Sequence, residues 1–332
     1  MQRPMKYIAR CVKTGWGMAY DFYRLAKYSA MREDFRDFET RNYAVAKTYH
    51  ALEKSLTFKE RSSSSGWGQA RSLVEYFRIA RGTEKIGYHD IASLEVLEAF
   101  LTSAKTSDSE AATPILEQTR SFRSFLQEER PSQPARHGAR QQTEPERQKA
   151  ILDDPEGFFL SRSSVRFFLD QKVDSSLVER AVRMAMKSPT ACNRQPWTVY
   201  FTSDTVTKDL ALSVQSGNRG FGHQIPNLAI VAVDHRAYMS GEERNANLVD
   251  GAMFANTLVY AMHSLGLGAC CLNWSRMPRH DRALRKALKI EPHHAIIMMI
   301  GFGFPDPEGK VCFSSRKPVN NVIMHLETRP HA

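Results

Sequence analysis

The stretch Ser188-Pro-Thr-Ala-Cys-Asn-Arg-Gln-Pro-Trp197 decides how the second half of this chain is read. Pro189 ends a preceding helix, because proline lacks the amide hydrogen and its ring clashes with the helix backbone. Pro196 holds Gln195 extended and leads into a strand that begins at Trp197. Between the two prolines stand the hydroxyl of Thr190 and the amides of Asn193 and Gln195. Together these groups donate and accept hydrogen bonds, which suits the edge of a heteroaromatic ring. The plainer alternative is a polar helix-to-strand loop whose amides bond only to backbone.

Three further segments extend this chemistry in both directions. Upstream, Ser161-Arg-Ser-Ser-Val-Arg-Phe-Phe168 sets Arg162 and Arg166 among the hydroxyls of Ser163 and Ser164. Guanidinium groups beside hydroxyls offer charge-assisted bonds to a phosphate, although such runs also serve as solvated loops. Downstream, Asp250-Gly251 belongs to a helix that ends in Gly266-Leu-Gly-Ala-Cys270. Gly266 fits a helix stop, and Gly268 leaves bare backbone that a ligand can approach. This is not a dinucleotide fingerprint, which follows a strand and opens a helix. Asp250 also fits an acid in the first turn of its helix. Last, Ser314-Ser-Arg-Lys-Pro318 places Arg316 and Lys317 where the chain leaves its final strand, as phosphate ligands or as a solvated basic turn.

At 332 residues the chain can hold two compact units. Residues 1–130 read as a helical region. Val45, Tyr49, Leu52 and Leu56 share one helical face, and Ile91, Leu94, Leu97 and Leu101 share another, with Asp90 as its N-cap. Residues 131–150, rich in Pro, Gln, Arg and Glu, read as a linker. From 151 to 332 helices and strands alternate, with a helix capped by Asp174 or Ser176, a Ser176–Glu179 capping box, and strands at 197–202, 228–234 and 295–302. The expected class is α+β, an antiparallel or mixed sheet covered by helices and preceded by a mostly helical region.

The net charge of +10 is spread along the chain, 25 Lys/Arg against 19 Asp/Glu over residues 1–150 and 21 against 17 beyond. A diffuse positive field favours anionic small molecules over nucleic acid as partner. No apolar run is long enough to span a bilayer, and no secretory signal is evident. Five cysteines without a CxxC pair point to reduced thiols, and so to the cytoplasm, with no metal site. Up to Tyr20 the chain holds Arg3, Lys6, Arg10 and Lys13, interleaved with Tyr7, Ile8, Val12 and Trp16, and no acid. That pattern fits an anionic membrane surface or, the preferred reading, the first helix of the helical region. In His50-Ala-Leu-Glu-Lys, the side chains of His50, Glu53 and Lys54 share about one turn and read as a solvated face.

The order and spacing of the four segments resemble the nitroreductase family over residues 156–322. Arg162, Ser164, Arg166 and Phe168 match its opening signature, and Pro189, Asn193, Gln195, Pro196 and Trp197 its second. Asp250, Gly251 and residues 266–270 match its central helix, and Arg316 and Lys317 its closing basic pair. Ser163 stands where the family often has a second arginine, and Thr190 replaces the usual serine. The resemblance implies FMN, with NADPH or NADH as reductant of a small organic acceptor (nitro, quinone or related) in a ping-pong, two-electron cycle. It implies no catalytic side chain, since the flavin carries the chemistry near the Asp250 and Gly251 backbone. The cofactor contacts it implies are Arg162, Ser163, Ser164 and Arg166, then Pro189, Thr190, Ala191, Asn193 and Gln195, then Asp250, Gly251, Gly266, Leu267, Gly268 and Ala269, and finally Arg316 and Lys317. It also implies a homodimer with FMN at the interface. A non-catalytic flavin-binding or partner-docking protein, or a flavin oxidase or dehydrogenase on the same fold, is the alternative. The first 150 residues lie outside the resemblance.

Overall fold

The computed structural model describes residues 2–62, 64–103, 112–129 and 137–328. Five long helices come first, α1 (Gln2–Tyr28), α2 (Phe38–Leu56), α3 (Trp67–Thr83), α4 (Tyr88–Thr102) and α5 (Ala112–Glu129). The apolar faces of α2 to α5 close on one another. Val45, Tyr49 and Leu52 join Leu73, Phe77, Leu94, Leu97 and Phe122 in one buried cluster. Asp37 starts α2 by accepting the Thr40 N–H at 2.9 Å, which satisfies a donor that the helix cannot. At Gly66, with φ 96°, a Cβ would lie 2.6 Å from Phe100, so the turn into α3 requires glycine. The sequence reading puts Asp90 at the N-cap of α4. The N-cap is instead Gly87, three residues earlier, and Asp90 reaches back from the third helical position to accept the Gly87 N–H at 2.9 Å.

The reading of the N-terminus as the first helix of this bundle is corrected. Among the described residues, none of α1 belongs to the bundle core. The last third of α1 docks on the second half of the chain. There the Tyr20 hydroxyl donates to Asp281 at 2.8 Å, and Arg24 donates to the carbonyls of Pro292 (2.8 Å) and His294 (2.9 Å). Arg24 is buried, and a buried guanidinium goes where it finds acceptors. Of the expected linker, residues 131–136 lie outside the described residues, and the remainder includes the short exposed helix α6 (Glu144–Gln148).

Beyond it come α7 (Pro155–Ser161), α8 (Ser175–Ala185), β1 (Trp197–Thr202), α9 (Thr205–Ser213), β2 (Asn227–Asp234), α10 (Ala246–Ser264), β3 (Gly268–Asn273), α11 (Pro278–Ala287) and β4 (His294–Gly303). The four strands form one antiparallel sheet in the order β1-β2-β4-β3. The fold is therefore α+β, with a helical N-terminal region. Every residue of β2 is buried, because helices cover both faces. Leu228 and Ile230 pack with Ala211, Leu212 and Leu284 of α9 and α11. Ala229, Val231 and Val233 pack with Val178 and Ala181 of α8 and Phe254 and Leu258 of α10. Asp174 caps α8 through the Ser176 N–H at 2.7 Å, so Ser176 lies inside the helix and the Ser176–Glu179 box does not form. The two regions share a core at α2, where Tyr43 enters the α10 cluster and donates to Asp234 at 3.3 Å. Among the described residues no helix is long and apolar enough to cross a membrane.

Candidate functional site

The loop between α8 and β1 is wound more tightly than its prolines require. Cys192, Asn193 and Gln195 all take left-handed φ, at 53°, 50° and 52°. Non-glycine residues there cost about 1–3 kcal/mol each and persist only where surroundings enforce them. The enforcing contacts come from four directions. Thr190 holds both ends, its carbonyl accepting the Asn193 N–H at 3.1 Å and its Oγ1 accepting the Gln195 N–H at 3.2 Å. Asp250 accepts the Ala191 N–H at 3.1 Å, and its other oxygen accepts the Tyr238 hydroxyl at 2.9 Å. Burial, offset in part by those donors, holds the Asp250 carboxyl above its ordinary range.

Arg194 is fully buried beneath the loop. Its guanidinium bonds the Ala191 carbonyl at 2.9 Å, pairs with Glu243 at 2.6 and 3.2 Å, bonds the Ala237 carbonyl and lies over the Tyr238 ring. Burial pushes the Glu243 carboxyl up, but the bonds from Arg194 and the Met239 N–H outweigh it and leave the group below its ordinary range. The fourth contact comes from the N-terminal helices. His89 Nε2 lies 3.2 Å from the Arg194 carbonyl, and His89 Nδ1 lies 3.1 Å from the Tyr49 hydroxyl. Burial depresses the His89 pKa to about 4, so the ring is neutral near pH 7. A carbonyl only accepts, so Nε2 carries the proton and the Tyr49 hydroxyl donates to Nδ1. Asn193 lies beside Tyr49. Gln195, with Tyr88, Arg183, Trp197 and Phe201, lines a cleft of about 730 Å³ between the helical region and the sheet.

The other expected residues gather elsewhere. Arg162, Ser163, Gly266, Leu267, Gly268 and Ala269 line a pocket of about 310 Å³ with Val165, Val259, His263, Pro305 and Val311. Backbone pairing builds it, since the Val165 N–H donates to the Ala269 carbonyl at 3.1 Å and Ser164 bridges Ala269 in parallel. At Gly268 a Cβ would lie 2.8 Å from Val165, so glycine is what lets the two segments meet. Gly266 ends α10 with φ 77°. Among the described residues neither Arg162 nor Arg166 has a carboxylate within 4.0 Å. The Arg166 guanidinium rests over Phe221 and reaches Cys312 at 3.8 Å. Two half-exposed arginines without acids, hydroxyls at Ser163 and Ser164, and side-chain-poor backbone at 266–269 fit a phosphate-bearing ligand such as FMN.

The two groups are set apart by α10. Asp250, which holds Ala191, and Gly266 are sixteen residues apart, roughly 24 Å along a helix axis. Gly251 packs on the sheet, where a Cβ would lie 2.5 Å from Ile297. Arg316 and Lys317 stand on an exposed C-terminal arm. The reading from sequence passed over Arg194, Glu243, His89 and Tyr49. Arg194 alone had a visible signal, a charge inside the loop it quoted. The trio Asp234, His293 and His294 brings ligand atoms within 4.8 Å of one another. Arg236 already bonds both oxygens of Asp234 and meets His293 at 2.8 Å, while Tyr200 takes His294 at 2.7 Å.

Residues 159–219 and 209–304 match the family model described as the nitroreductase family. Over these residues, somewhat less than half of the chain, the protein is similar to that family. The chain is 25% identical over 149 residues to an Archaeoglobus fulgidus protein named "Putative NADH dehydrogenase/NAD(P)H nitroreductase", covering 45% of this chain and 83% of the relative. A Desulfovibrio desulfuricans structure titled a "putative nitroreductase in complex with fmn" is 19% identical, covering 54% of this chain and all of that one, with a TM-score of 0.46. An FMN-dependent nitroreductase of Clostridium difficile is 20% identical, covering 52% and 99%, with a TM-score of 0.43.

Proposed function

We propose that the α+β domain binds FMN and catalyses ping-pong, two-electron reduction of a small organic acceptor (nitro, quinone or related) by NADPH or NADH. The observation that carries this is the pocket at the end of α10, where Arg162 meets bare backbone and, among the described residues, no carboxylate lies within 4.0 Å to neutralise it. Arg162 and Arg166 would balance the phosphate, and Ser163 and Ser164 would add hydroxyl bonds. The main chain at 266–269 would let the ligand approach without a side chain between. When bound, FMN supplies the two-electron chemistry, and the protein supplies orientation, electrostatics and access.

A homodimer accounts for the separation of the two residue groups. Residues 189–195 and the Arg162 pocket lie too far apart along α10 to grip one ring from the same chain. A two-fold related copy would bring the loop of one chain to the pocket of the other. The arm supports this reading, because Phe313 and Leu326 are fully exposed and Val319, Ile323 and Met324 are 59–85% exposed. Such an arm calls for a cover, and β1, at the edge of the sheet, leaves one side unpaired. Arg316 and Lys317 would travel with the arm to the partner's site.

Purified protein is expected to show flavin absorbance, to bleach anaerobically with NADPH or NADH, and to sediment at twice 37.7 kDa. Arg162→Ala should weaken FMN at least about tenfold, the loss of a charge-assisted bond, with an unchanged thermal midpoint. Colourless protein that free FMN does not reconstitute would refute the reading. Yellow protein that neither nicotinamide reduces would favour a flavin-binding or oxidase role.

A further inference from the structure

Among the described residues, no side chain from residue 5 to 19 of α1 makes a hydrogen bond, ion pair or ring contact with another element. Met5, Ile8, Val12, Trp16, Phe22 and Tyr23 are all between 55% and 74% exposed. At about 100° per residue they fall within an arc of roughly 120°. Lys6, Arg10 and Lys13 lie within about 60° on the opposite side, and no acidic residue occurs from 2 to 20. Bonds from Tyr20 and Arg24 to Asp281, Pro292 and His294 fix the helix near its C-terminal end, and the amphipathic part continues N-terminally from there as one helix.

From this geometry we propose that α1 lies in the interface of an anionic lipid bilayer and carries the enzyme to a membrane surface. A broad apolar arc backed by an all-basic polar side, with Trp16 and Tyr23 at the arc's margin toward Lys13, is the pattern of an in-plane helix. The charge fits lipid, since the basic side, with no acid from 2 to 20, is complementary to anionic headgroups. The helix lies on the bilayer and does not span it, since no described helix is long and apolar enough to cross.

The test is flotation of the full-length protein with phosphatidylcholine vesicles that contain or lack phosphatidylglycerol. Wild-type protein should float with the anionic vesicles and be released as salt shortens the screening length. Each basic residue near an anionic surface contributes about a fivefold factor, so K6E/R10E/K13E should weaken binding by about a hundredfold or more. I8D/V12D should abolish it. These positions are exposed, so both variants should keep the wild-type thermal midpoint and flavin content. Equal flotation with neutral vesicles, no flotation at all, or binding that survives both variants would overturn the proposal. So would I8D/V12D reducing the sedimenting mass, which would mean that a second copy covers this face.

Discussion

His89 offers a direct measure of how firmly the helical region holds the loop at 190–195. It is buried and neutral, bonded between Tyr49 of α2 and the carbonyl of Arg194. Its folded pKa is about 4 against an ordinary 6.5. The unfolded state therefore takes up the proton first, and stability present above pH 6.5 is lost as pH falls toward 4. Between pH 7 and pH 5 that linkage costs about 2 kcal/mol from His89 alone. His89→Leu removes the titration and leaves two buried polar groups without their partner, at about 1–3 kcal/mol each. At pH 7 the variant should accordingly be less stable by about 2–6 kcal/mol. By pH 5 the gap should shrink by about 2 kcal/mol, because only the wild type still loses stability through His89. Urea unfolding at pH 7, 6 and 5, followed by tryptophan fluorescence and far-UV dichroism together, measures both quantities. Parallel pH dependence in the two proteins would refute the burial and tautomer assigned to this histidine. His235 and His294, also held near 4 by burial, contribute equally to both proteins and cancel in the comparison.

Glu243→Gln leaves the Arg194 charge buried without its counter-ion and should cost about 3 kcal/mol at pH 7. Because the folded Glu243 pKa is lowered, the ion-pair stability exists above the ordinary glutamate range and vanishes below it, so variant and wild type should converge in acid titration of the unfolding midpoint. Gly268→Ala forces a Cβ to 2.8 Å from Val165 and should cost about 1–3 kcal/mol. It should also reduce bound flavin per chain by absorbance, whereas Gly17→Ala, in open space inside α1, should leave bound flavin unchanged and make the helix more stable by about 0.5–1 kcal/mol.

Elements with a local signature were legible from sequence. The period of Val45, Tyr49 and Leu52 found α2, and the apolar run at 228–234 found β2 nearly to the residue. The strand β3 was missed, because Gly-Ala-Cys-Cys-Leu-Asn is short, weakly β-branched and begins just after a helix-stopping glycine. α1 was read as amphipathic but assigned to the bundle, because periodicity reports that a face is apolar and not what covers it. Only the long-range bonds of Tyr20 and Arg24, more than 260 residues away in sequence, decide its direction. The left-handed trio was hidden for a different reason. Cys192, Asn193 and Gln195 carry no glycine to announce positive φ, and the contacts that enforce it arrive from positions 89, 243 and 250.

Those contacts change what the helical region is for. A docked appendage would meet the α+β domain through side chains at a rim. Here α2 sends Tyr43 into the core against Asp234, and α4 sends His89 to the backbone of the loop. The loop's strained backbone costs free energy that Asp250 and Arg194 offset from one side and the helices from the other. A pocket shaped by such a loop is therefore shaped by both regions. Asn42, Tyr88 and His89 also wall the cleft that Gln195 and Trp197 line from below. Whatever enters that cleft meets both regions, so changes in α2 or α4 should alter its binding without touching the Arg162 pocket.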